Sequence, residues 1–498
     1  MKKYFTLIVL SVAIVSYRIY VLVLFGFKYT DSDQTLMWLG AKYYSKGEFH
    51  EPFFYGQDYN LMLESFLSVP FYWLGLPLKI ALPIVTTILT LLPFFLLARL
   101  AIKKGEDLIA VIIISILALL PIEYDLHTSL SRGFVTGIAV FSLIFLLPVF
   151  ITSRNWYKSE YILIGLLSAL SYLVTPNTIL LSLPILFYLF LNNIKSKKFY
   201  VYTFIGFFIG ILILILFKQF YVWNPSYKIH TLKLEYSIEL LAKGLKNIDS
   251  FLRMVTPFFW KQGYLSLVFP ILFSIYFLIK GQKILRYTSF LLLFIFIGPL
   301  CVSKIHDGND SVFFHVSRMY LAVPIIWGFL LTNIHIKNKK HFGWIIILPL
   351  TILVFKSYNL NSSIESNLNK DHVVVVAPNS IIEEGCRDIN VYAKVHQIDL
   401  IIFLNYGNSQ LFDYGCPACE NDFPRTVYPI YERRTWRLIE DDNRIYNNVL
   451  IFDRGKEFDK QYSVVQKTEE FQKGYLIKSN TLTTKELYRK LNVKTRYF

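Results

Sequence analysis

Repeated apolar runs of membrane-spanning length constrain this chain more than any other feature. Only 17% of its 498 residues are charged, whereas a soluble domain normally has about 25%. Counting each suitable run as one crossing predicts about eleven transmembrane helices, since a span needs about 20 predominantly apolar residues. The runs lie near 5–25, 78–100, 107–122, 134–152, 160–174, 176–192, 200–217, 264–280, 286–302, 317–333 and 342–356. The sequence therefore predicts a polytopic α-helical membrane protein, with its transmembrane domain at residues 1–356.

Basic residues are concentrated in every second loop between these runs. Cytoplasmic loops of membrane proteins are enriched in Lys and Arg, so we assign these loops to the cytoplasm. They contain Arg99, Lys103, Lys104, Arg154, Lys158, Lys195, Lys197, Lys198, Lys280, Lys283, Arg286, Lys337, Lys339 and Lys340. The net charge of +16 thereby has a topological explanation, and we expect no nucleic-acid partner.

The first apolar run fixes the expected sidedness. It begins after Met1-Lys2-Lys3 and continues through Leu24 without a small-residue cleavage site, which indicates an uncleaved helix that starts in the cytoplasm. The first loop, 28–77, then lies outside, and an odd number of crossings places the tail outside as well. We predict a multi-pass protein of the inner (plasma) membrane whose active site and tail are extracytoplasmic.

The tail, 357–498, differs in character from the rest of the chain. Short β-branched and aromatic runs at Val373–Val376, Leu400–Phe403 and Val449–Phe452 predict buried strands, and Ile381–Val395 is compatible with a helix. A segment of this length can bury its own core. We therefore predict a C-terminal extracytoplasmic α/β domain.

Three of the four cysteines lie in this tail, at Cys386, Cys416 and Cys419. An extracytoplasmic location permits a disulfide. Cys416-Pro-Ala-Cys419 lacks the second pair of ligands that a closed zinc site needs. One of the three must remain unpaired, so the pairing stays open, as do a metal site and free thiols.

Asp31-Ser32-Asp33-Gln34 opens the first outward loop and is the strongest candidate for chemistry. A carboxylate beside the bilayer can act as a general base on an acceptor hydroxyl. Either Asp31 or Asp33 is a candidate for that role, or the pair for ligands of a divalent metal, with no other cofactor expected. The alternative is a helix N-cap, which explains one carboxylate and not both. Apolar spacing predicts a helix at Thr35–Tyr43.

The same loop contains Tyr55-Gly56-Gln57-Asp58-Tyr59, followed by Glu64 on a helix predicted at Asn60–Trp73. Aromatic rings with nearby amide and carboxylate groups suit a sugar or an isoprenoid headgroup. We predict that Tyr55, Gln57 and Glu64 contact substrate. The alternative for the aromatic residues is an interfacial belt, whereas Glu64 lies among apolar neighbours where an unpaired carboxylate is costly.

Two arginines in later outward loops are candidate phosphate ligands. Arg132 precedes Gly133, which permits close backbone approach, and Arg318 precedes Tyr320 at the start of an apolar run. A guanidinium matches phosphate oxygens in shape and charge. The alternatives are an ordinary polar helix cap for Arg132 and a snorkelling side chain for Arg318.

Together these motifs resemble the GT-C superfamily of polyprenyl-phosphate-sugar glycosyltransferases. The layout of residues 1–335 is most similar to the bacterial branch with protein O-mannosyltransferases and aminoarabinose transferases. Its acidic motif is matched by Asp31-Ser32-Asp33-Gln34, and its late Arg-Tyr-Leu-x-Pro signature by Arg318 to Pro324. Here Gln34 replaces the second acid of the usual acidic pair, and Met319 interrupts the late signature.

The resemblance implies an inverting sugar transfer on the extracytoplasmic face. The donor is a polyprenyl-phosphate-linked sugar, the acceptor is a lipid, glycan or protein, and membrane lipids surround the site. Asp33 is then the base, and Asp31 supports it or holds a metal. Arg132 and Arg318 steady the lipid phosphate, and the substrate pocket is shaped by Tyr55, Gln57, Glu64 and Tyr320. Alternatives are an O-antigen polymerase or ligase, an inactive scaffold, or a transporter of a lipid-linked glycan. A transporter buries ionisable residues at mid-membrane, where the spans of this chain offer mainly Arg18.

Overall fold

The computed structural model describes residues 2–151, 158–231, 234–336, 344–404, 409–421, 423–453, 465–467, 474–493 and 495. Helix predominates in this part of the chain. The α-helices are α1 (Lys2–Val21), α2 (Ser32–Ser45), α3 (Leu63–Trp73), α4 (Leu78–Lys103), α5 (Asp107–Leu119), α6 (Ile122–His127), α7 (Thr136–Ser142), α8 (Lys158–Val174), α9 (Ile179–Asn192), α10 (Lys197–Trp223), α11 (Ile238–Lys246), α12 (Ile248–Leu252), α13 (Val268–Ile279), α14 (Lys283–Ile297), α15 (Val323–Leu331), α16 (Ile347–Leu368), α17 (Asn379–Val395), α18 (Ser409–Cys419), α19 (Thr435–Asp441) and α20 (Thr484–Lys490).

Several of these helices are apolar enough to lie in a bilayer. By length and composition, four helical segments can cross a membrane, and five shorter apolar segments accompany them. The four are Phe5–Gly26, Leu78–Lys103, Lys197–Trp223 and Lys283–Cys301. The five are Asp107–Leu119, Thr136–Leu146, Pro176–Asn192, Gly263–Ile279 and Val316–Leu331. The chain is therefore a helical membrane protein, while the number of crossings remains a prediction. The beginning of the predicted last span, residues 342 and 343, lies outside the described residues.

Helices α8 and α10 pack at backbone distance through glycines. A Cβ atom built on Gly165 would lie 2.0 Å from the carbonyl oxygen of Thr203, and one on Gly206 would lie 1.9 Å from that of Ile162. Small residues at such positions let membrane helices approach closely, because lipid offers little hydrophobic drive for their association. Any side chain here would force the two helices apart.

We expect Gly206→Ala to lower the melting temperature of the detergent-solubilised protein measurably. Overpacking a tight contact costs about 1–3 kcal/mol, and the obstructing atom here belongs to the backbone of α8. The matched control is Gly298→Ala, because a Cβ atom at Gly298 meets no atom within 4 Å. Fluorescence-detected unfolding of the two variants provides the comparison. Equal melting temperatures would contradict the packing described for α8 and α10.

A buried group of three charges connects α1, α6 and α16. Arg18 Nη1 donates to Asp125 Oδ1 at 2.9 Å, and Lys356 pairs with Asp125 Oδ2. Arg18 Nη2 also donates to the side chain and the carbonyl of Thr128, and Lys356 Nζ donates to Leu120 O at 2.9 Å. Arg18, the ionisable residue singled out within the first span, is thus paired with a carboxylate. Two buried cations thus share one carboxylate.

The tail contains a five-stranded sheet. Its strands, in the order β4-β3-β5-β7-β6, are β3 (Leu400–Leu404), β4 (Arg425–Val427), β5 (Val449–Asp453), β6 (Val465–Lys467) and β7 (Gly474–Ile477). Strand β3 runs parallel to β4 and β5, and β7 runs antiparallel to β5 and β6. The strands predicted at 400–403 and 449–452 and the helix predicted at 381–395 are confirmed.

The predicted strand at Val373–Val376 is wrong in its bounds and in its sheet. Strand β2 (Val376–Pro378) instead pairs antiparallel with β1 (Tyr29–Asp31), at the start of the first predicted outward loop. The predicted burial is also wrong, since Val373 is exposed and Val374 to Val376 are only partly buried. Hydrophobicity alone does not identify the partner strand. The pairing joins the tail to the segment that leads into Asp31.

Two further features attach the tail to residues 28–77. Helix α18 packs along α2, and Lys42 Nζ of α2 donates to the carbonyl oxygens of Pro417 and Glu420 at the end of α18. Upstream, α16 continues to Leu368 without a break. The predicted domain boundary at residue 356 therefore lies within a helix, because polar residues end the apolar run there without ending the helix.

The cysteine pairing left open by the sequence is resolved between α17 and α18. Cys386 and Cys416 form a disulfide, while Cys301 and Cys419 carry free thiols. Both bonded residues lie in a small apolar cluster with Ile382 and Leu411. The bond fixes α18, the helix that packs on α2.

Candidate active site

Asp31 is fully buried and caps the N-terminus of α2. Its Oδ1 accepts hydrogen bonds from the backbone N–H groups of Asp33 at 2.9 Å and Gln34 at 3.1 Å, and its Oδ2 accepts from Gln34 Nε2 at 3.0 Å. Burial raises the pKa of the Asp31 carboxyl, while nearby Arg132 acts in the opposite direction. The N-cap interpretation is therefore correct for Asp31, whose bonds orient the next carboxylate.

Asp33 lies in the first turn of α2 and bridges two arginines. Its Oδ2 accepts from Arg132 Nη2, and its Oδ1 accepts from Arg433 Nη1 at 2.8 Å. Burial alone would raise the pKa of this carboxyl, but the two guanidiniums outweigh burial and lower it to about 2. The predicted base is thus ionised and held between one arginine of the helical region and one of the tail.

The loop that carries Arg132 is bonded directly to this acidic turn. Gln34 Oε1 accepts from the backbone N–H of Ser131 at 3.2 Å, and Ser131 Oγ lies 2.8 Å from Thr86 Oγ1 of α4. Gln34 stands where the GT-C acidic motif usually has a second acid. Its amide links two loops. A carboxylate at this position has no N–H with which to bond Asp31.

Glu64 is fully buried on the other side of the same loop. Its Oε1 accepts from Thr136 Oγ1 at 2.7 Å, and its Oε2 accepts from the backbone N–H of Gly133 at 3.3 Å. Burial raises the pKa of Glu64 to about 7, with these two hydrogen bonds opposing the rise. Gly133 adopts φ +77°, a conformation that glycine adopts readily. Glu64 thus holds the turn that presents Arg132.

Arg318 joins Arg132 around one aromatic ring. The guanidinium carbons of Arg318 and Arg132 lie 3.9 Å and 4.9 Å from the ring centroid of Phe314. Both also lie over the ring of Phe134, at 6.0 Å and 5.5 Å. Because Arg132 and Arg433 share Asp33, the three guanidiniums form one group. We call Arg132, Arg318 and Arg433 the arginine cluster.

Several donors of the arginine cluster have no hydrogen-bond partner among the described residues. They are both Nε and Nη2 of Arg318 and Nε of Arg132, the last of which makes only a longer ion-pair contact of 3.8 Å with Asp31 Oδ2. The side chain of Arg132 is 2% exposed and Arg318 is 1% exposed, so these donors are out of contact with solvent. An unsatisfied buried donor costs about 1–3 kcal/mol. Unused, buried, positively charged donors indicate a site for an anion.

His127 lies against the same aromatic ring. It stacks on Phe134 with centroids 5.5 Å apart, and its Nδ1 donates to Val312 O at 2.6 Å. Burial, together with the charges of Arg132 and Arg318, lowers the pKa of His127 to about 3. The ring is therefore neutral, and its Nε2, unpartnered within the described residues, can accept a hydrogen bond.

The predicted pocket residues Tyr55 and Gln57 do not join the arginine cluster directly. The ring of Tyr55 is buried against Trp436, with centroids 4.6 Å apart. The carbonyl oxygen of Gln57 accepts from Tyr221 Oη at 2.9 Å, so its backbone braces α10. Tyr55 thus supports the segment that contains Arg433, whereas Gln57 supports α10.

Tyr320 likewise bonds to a helix of the core and not to the acidic turn. Its buried hydroxyl donates to Phe296 O of α14 at 3.0 Å, which places the side chain in the helical core. Of the residues predicted to bind substrate, the structure therefore brings together Arg132, Arg318 and Asp33, with Glu64 behind them.

A divalent metal does not fit the acidic motif in this arrangement. Both oxygens of Asp33 pair with guanidiniums, and both oxygens of Asp31 accept hydrogen bonds from α2. Among the described residues, no group of three or more His, Cys, Asp or Glu side chains is arranged to hold a metal ion. We therefore assign no chemical step to a metal.

Arg433 is a site residue that the sequence did not identify, and His127 lies in a motif that drew attention without being assigned a role. Arg433 lies 400 residues from Asp33, in the motif Tyr-Glu-Arg-Arg of a polar tail segment. Neighbouring basic residues are common in such segments, so no local signal distinguishes it. His127 lies close to Arg132 in sequence, and that proximity was the one available indication.

Comparison with known proteins identifies no relative: no protein-family model matches the chain, and no curated protein matches it in sequence.

Proposed function

We propose that this protein is a membrane glycosyltransferase that moves a sugar from a polyprenyl-phosphate donor to an acceptor on the extracytoplasmic face. The observation that carries the proposal is the position of Asp33 within the arginine cluster. A carboxylate for proton transfer and unused cationic donors for a phosphate occur together in a helical membrane protein. These are the two chemical groups that such a transfer requires.

The arginine cluster supplies the binding half of the reaction. Guanidiniums bind phosphate oxygens through charge-assisted hydrogen bonds, which are stronger than neutral ones. Arg132 and Arg318 stand over Phe314 and Phe134 with unsatisfied N–H groups. Negative charge grows on the lipid phosphate as the sugar leaves, and donors fixed in place before the reaction stabilise that charge.

Asp33 supplies the base. The acceptor oxygen attacks the anomeric carbon as the bond from that carbon to the phosphate oxygen breaks. Asp33 takes the proton of the acceptor group, and the polyprenyl phosphate departs with the bonding electron pair. Attack from the face opposite the leaving group inverts the anomeric configuration. General-base catalysis of this kind contributes about 10²–10⁴-fold to the rate.

The neighbouring groups hold this geometry. Asp31 fixes the backbone of Asp33 through the N-cap, and Gln34 bonds that turn to Ser131, next to Arg132. Glu64 bonds the backbone N–H of Gly133. Catalysis depends on such positioning, because a small misplacement of reacting groups is costly.

The proposal is tested by transfer from labelled donors. Membranes containing the protein are incubated with polyprenyl-phosphate sugars labelled in the sugar, taken from a panel of hexoses, pentoses and amino sugars. We expect label to move to a membrane or protein acceptor with release of one equivalent of polyprenyl phosphate. Membranes without the protein are the control. Label that crosses the bilayer still attached to its carrier would favour the transporter alternative and contradict the proposal.

A further inference from the structure

Arg433 is held rigidly by its two sequence neighbours. Glu432 and Arg434 are fully buried and form a bidentate pair, with Arg434 Nε and Nη2 each 2.8 Å from a Glu432 oxygen. Glu432 Oε1 also accepts from the backbone N–H of Arg434 at 2.9 Å, and Oε2 accepts from that of Tyr428 at 3.3 Å. A buried pair with this many hydrogen bonds fixes the turn, and Arg433 projects from its centre.

The first outward loop supports the same turn from the opposite side. Gly56 adopts φ +71°, and a Cβ atom built on it would lie 3.1 Å from both Cβ and O of Arg433. The Arg433 guanidinium lies 5.9 Å from the centroid of Phe54. The glycine of the Tyr55-Gly56-Gln57 motif therefore has a specific use: it lets the loop approach the backbone of Arg433.

Arg433 also differs from its two partners in exposure. Its side chain is 32% exposed, whereas those of Arg132 and Arg318 are buried. Asp33, 21% exposed, lies between the partly exposed Arg433 and the buried Arg132. In this structure the carboxylate of Asp33 thus occupies the position between two guanidiniums that an anion would take.

We propose that Arg433 of the tail is a third ligand of the lipid phosphate, and that Asp33 holds the place of that phosphate until the donor binds. The inference rests on the proposed function and adds the tail to the active site. When the phosphate binds the guanidiniums of Arg132 and Arg433, the Asp33 carboxylate loses its ion pairs and is released. Those guanidiniums cause the low pKa of Asp33. Once they pair with the phosphate instead, the pKa of Asp33 rises, and the carboxylate becomes a stronger base as the donor arrives.

Binding of farnesyl phosphate, a short prenyl monophosphate, tests this inference on the full chain in detergent micelles. Replacing one charged ligand of an anion weakens binding by about tenfold, so we expect that loss in Arg433→Gln. Asp33→Asn removes the competing carboxylate, and we expect it to bind farnesyl phosphate several-fold more tightly. The control is Arg387→Gln, since the side chain of Arg387 is 70% exposed on α17 and its loss leaves affinity unchanged.

Two further ligands identify what is recognised. Farnesol, which lacks the phosphate, is expected to show no difference between Arg433→Gln and the wild type. Inorganic phosphate is expected to bind more weakly than farnesyl phosphate. Equal affinities for inorganic phosphate and farnesyl phosphate would contradict recognition of a lipid-borne phosphate.

The outcomes separate this inference from the proposed function, because binding is measured without turnover. Tighter binding by Asp33→Asn is not produced by damage to the fold, and Arg433→Lys, which keeps the charge, gives an intermediate affinity. Wild-type affinity in Arg433→Gln, or no gain in Asp33→Asn, overturns the inference even if sugar transfer is found. The expected affinities without sugar transfer would instead refute the proposed function.

Discussion

Asp33→Asn is expected to reduce sugar transfer by about 10²–10⁴-fold, the usual contribution of a general base. The amide cannot accept the acceptor proton, although it keeps the size of the side chain. Residual transfer is measured in the labelled-donor assay with equal amounts of wild-type and variant protein in the membrane. Asp388→Asn is the control, because its side chain is 59% exposed on α17. Near-normal transfer by Asp33→Asn would show that Asp33 is not the general base.

Asp31→Asn separates the two neighbouring carboxylates. Asn is as good an N-cap as Asp, so the variant keeps the Oδ1 bonds that orient Asp33 and loses the bond from Gln34 Nε2 to Oδ2. We expect the loss of transfer to be far smaller than in Asp33→Asn. Equal losses would mean that Asp31 takes a chemical part beyond positioning.

The second large effect concerns stability: Asp125→Asn is expected to destabilise the protein by about 3–5 kcal/mol, the usual cost of breaking a buried ion pair. Asp125 is the carboxylate that pairs with both Arg18 and Lys356, and its removal leaves two buried cations uncompensated. Thermal unfolding in one detergent gives the measurement.

Lys356→Met provides the matched comparison within the same group. It removes a cation and leaves Arg18 and Asp125 as a one-to-one pair, so no charge is left without a partner of opposite sign. We expect a clearly smaller fall in melting temperature than for Asp125→Asn. The reverse order would show that Lys356 contributes more than neutralisation of Asp125.

The helical membrane character and part of the site were predictable from the sequence, because both depend on local signals. Apolar runs mark helices that suit a bilayer, and Asp31 followed by an amphipathic helix indicates an N-cap. Arg132 and Arg318 were chosen by chemistry and by their expected side of the membrane. Their convergence on Phe314 agrees with that choice.

The remaining part of the site depends on contacts between distant segments. Arg433 reaches Asp33 because β2 pairs with β1 and α18 packs on α2, and neither contact leaves a trace in local sequence. The same reason explains the wrong bounds of the strand at Val373–Val376. Tyr55 and Gln57 belong to a motif that the resemblance assigns to substrate, yet here Tyr55 packs on Trp436 near Arg433 and Gln57 bonds to Tyr221 of α10.

The central claim is that Asp33 and the arginine cluster form one site for a lipid-linked sugar phosphate. The most direct measurement is a cryo-electron microscopy map of the full chain with a polyprenyl-phosphonate sugar, in which carbon replaces the bridging oxygen so that transfer is blocked. We expect phosphonate density in contact with Arg132, Arg318 and Arg433, and the anomeric carbon facing Asp33. Headgroup density elsewhere, with Asp33 still paired to Arg132 and Arg433, would contradict the claim.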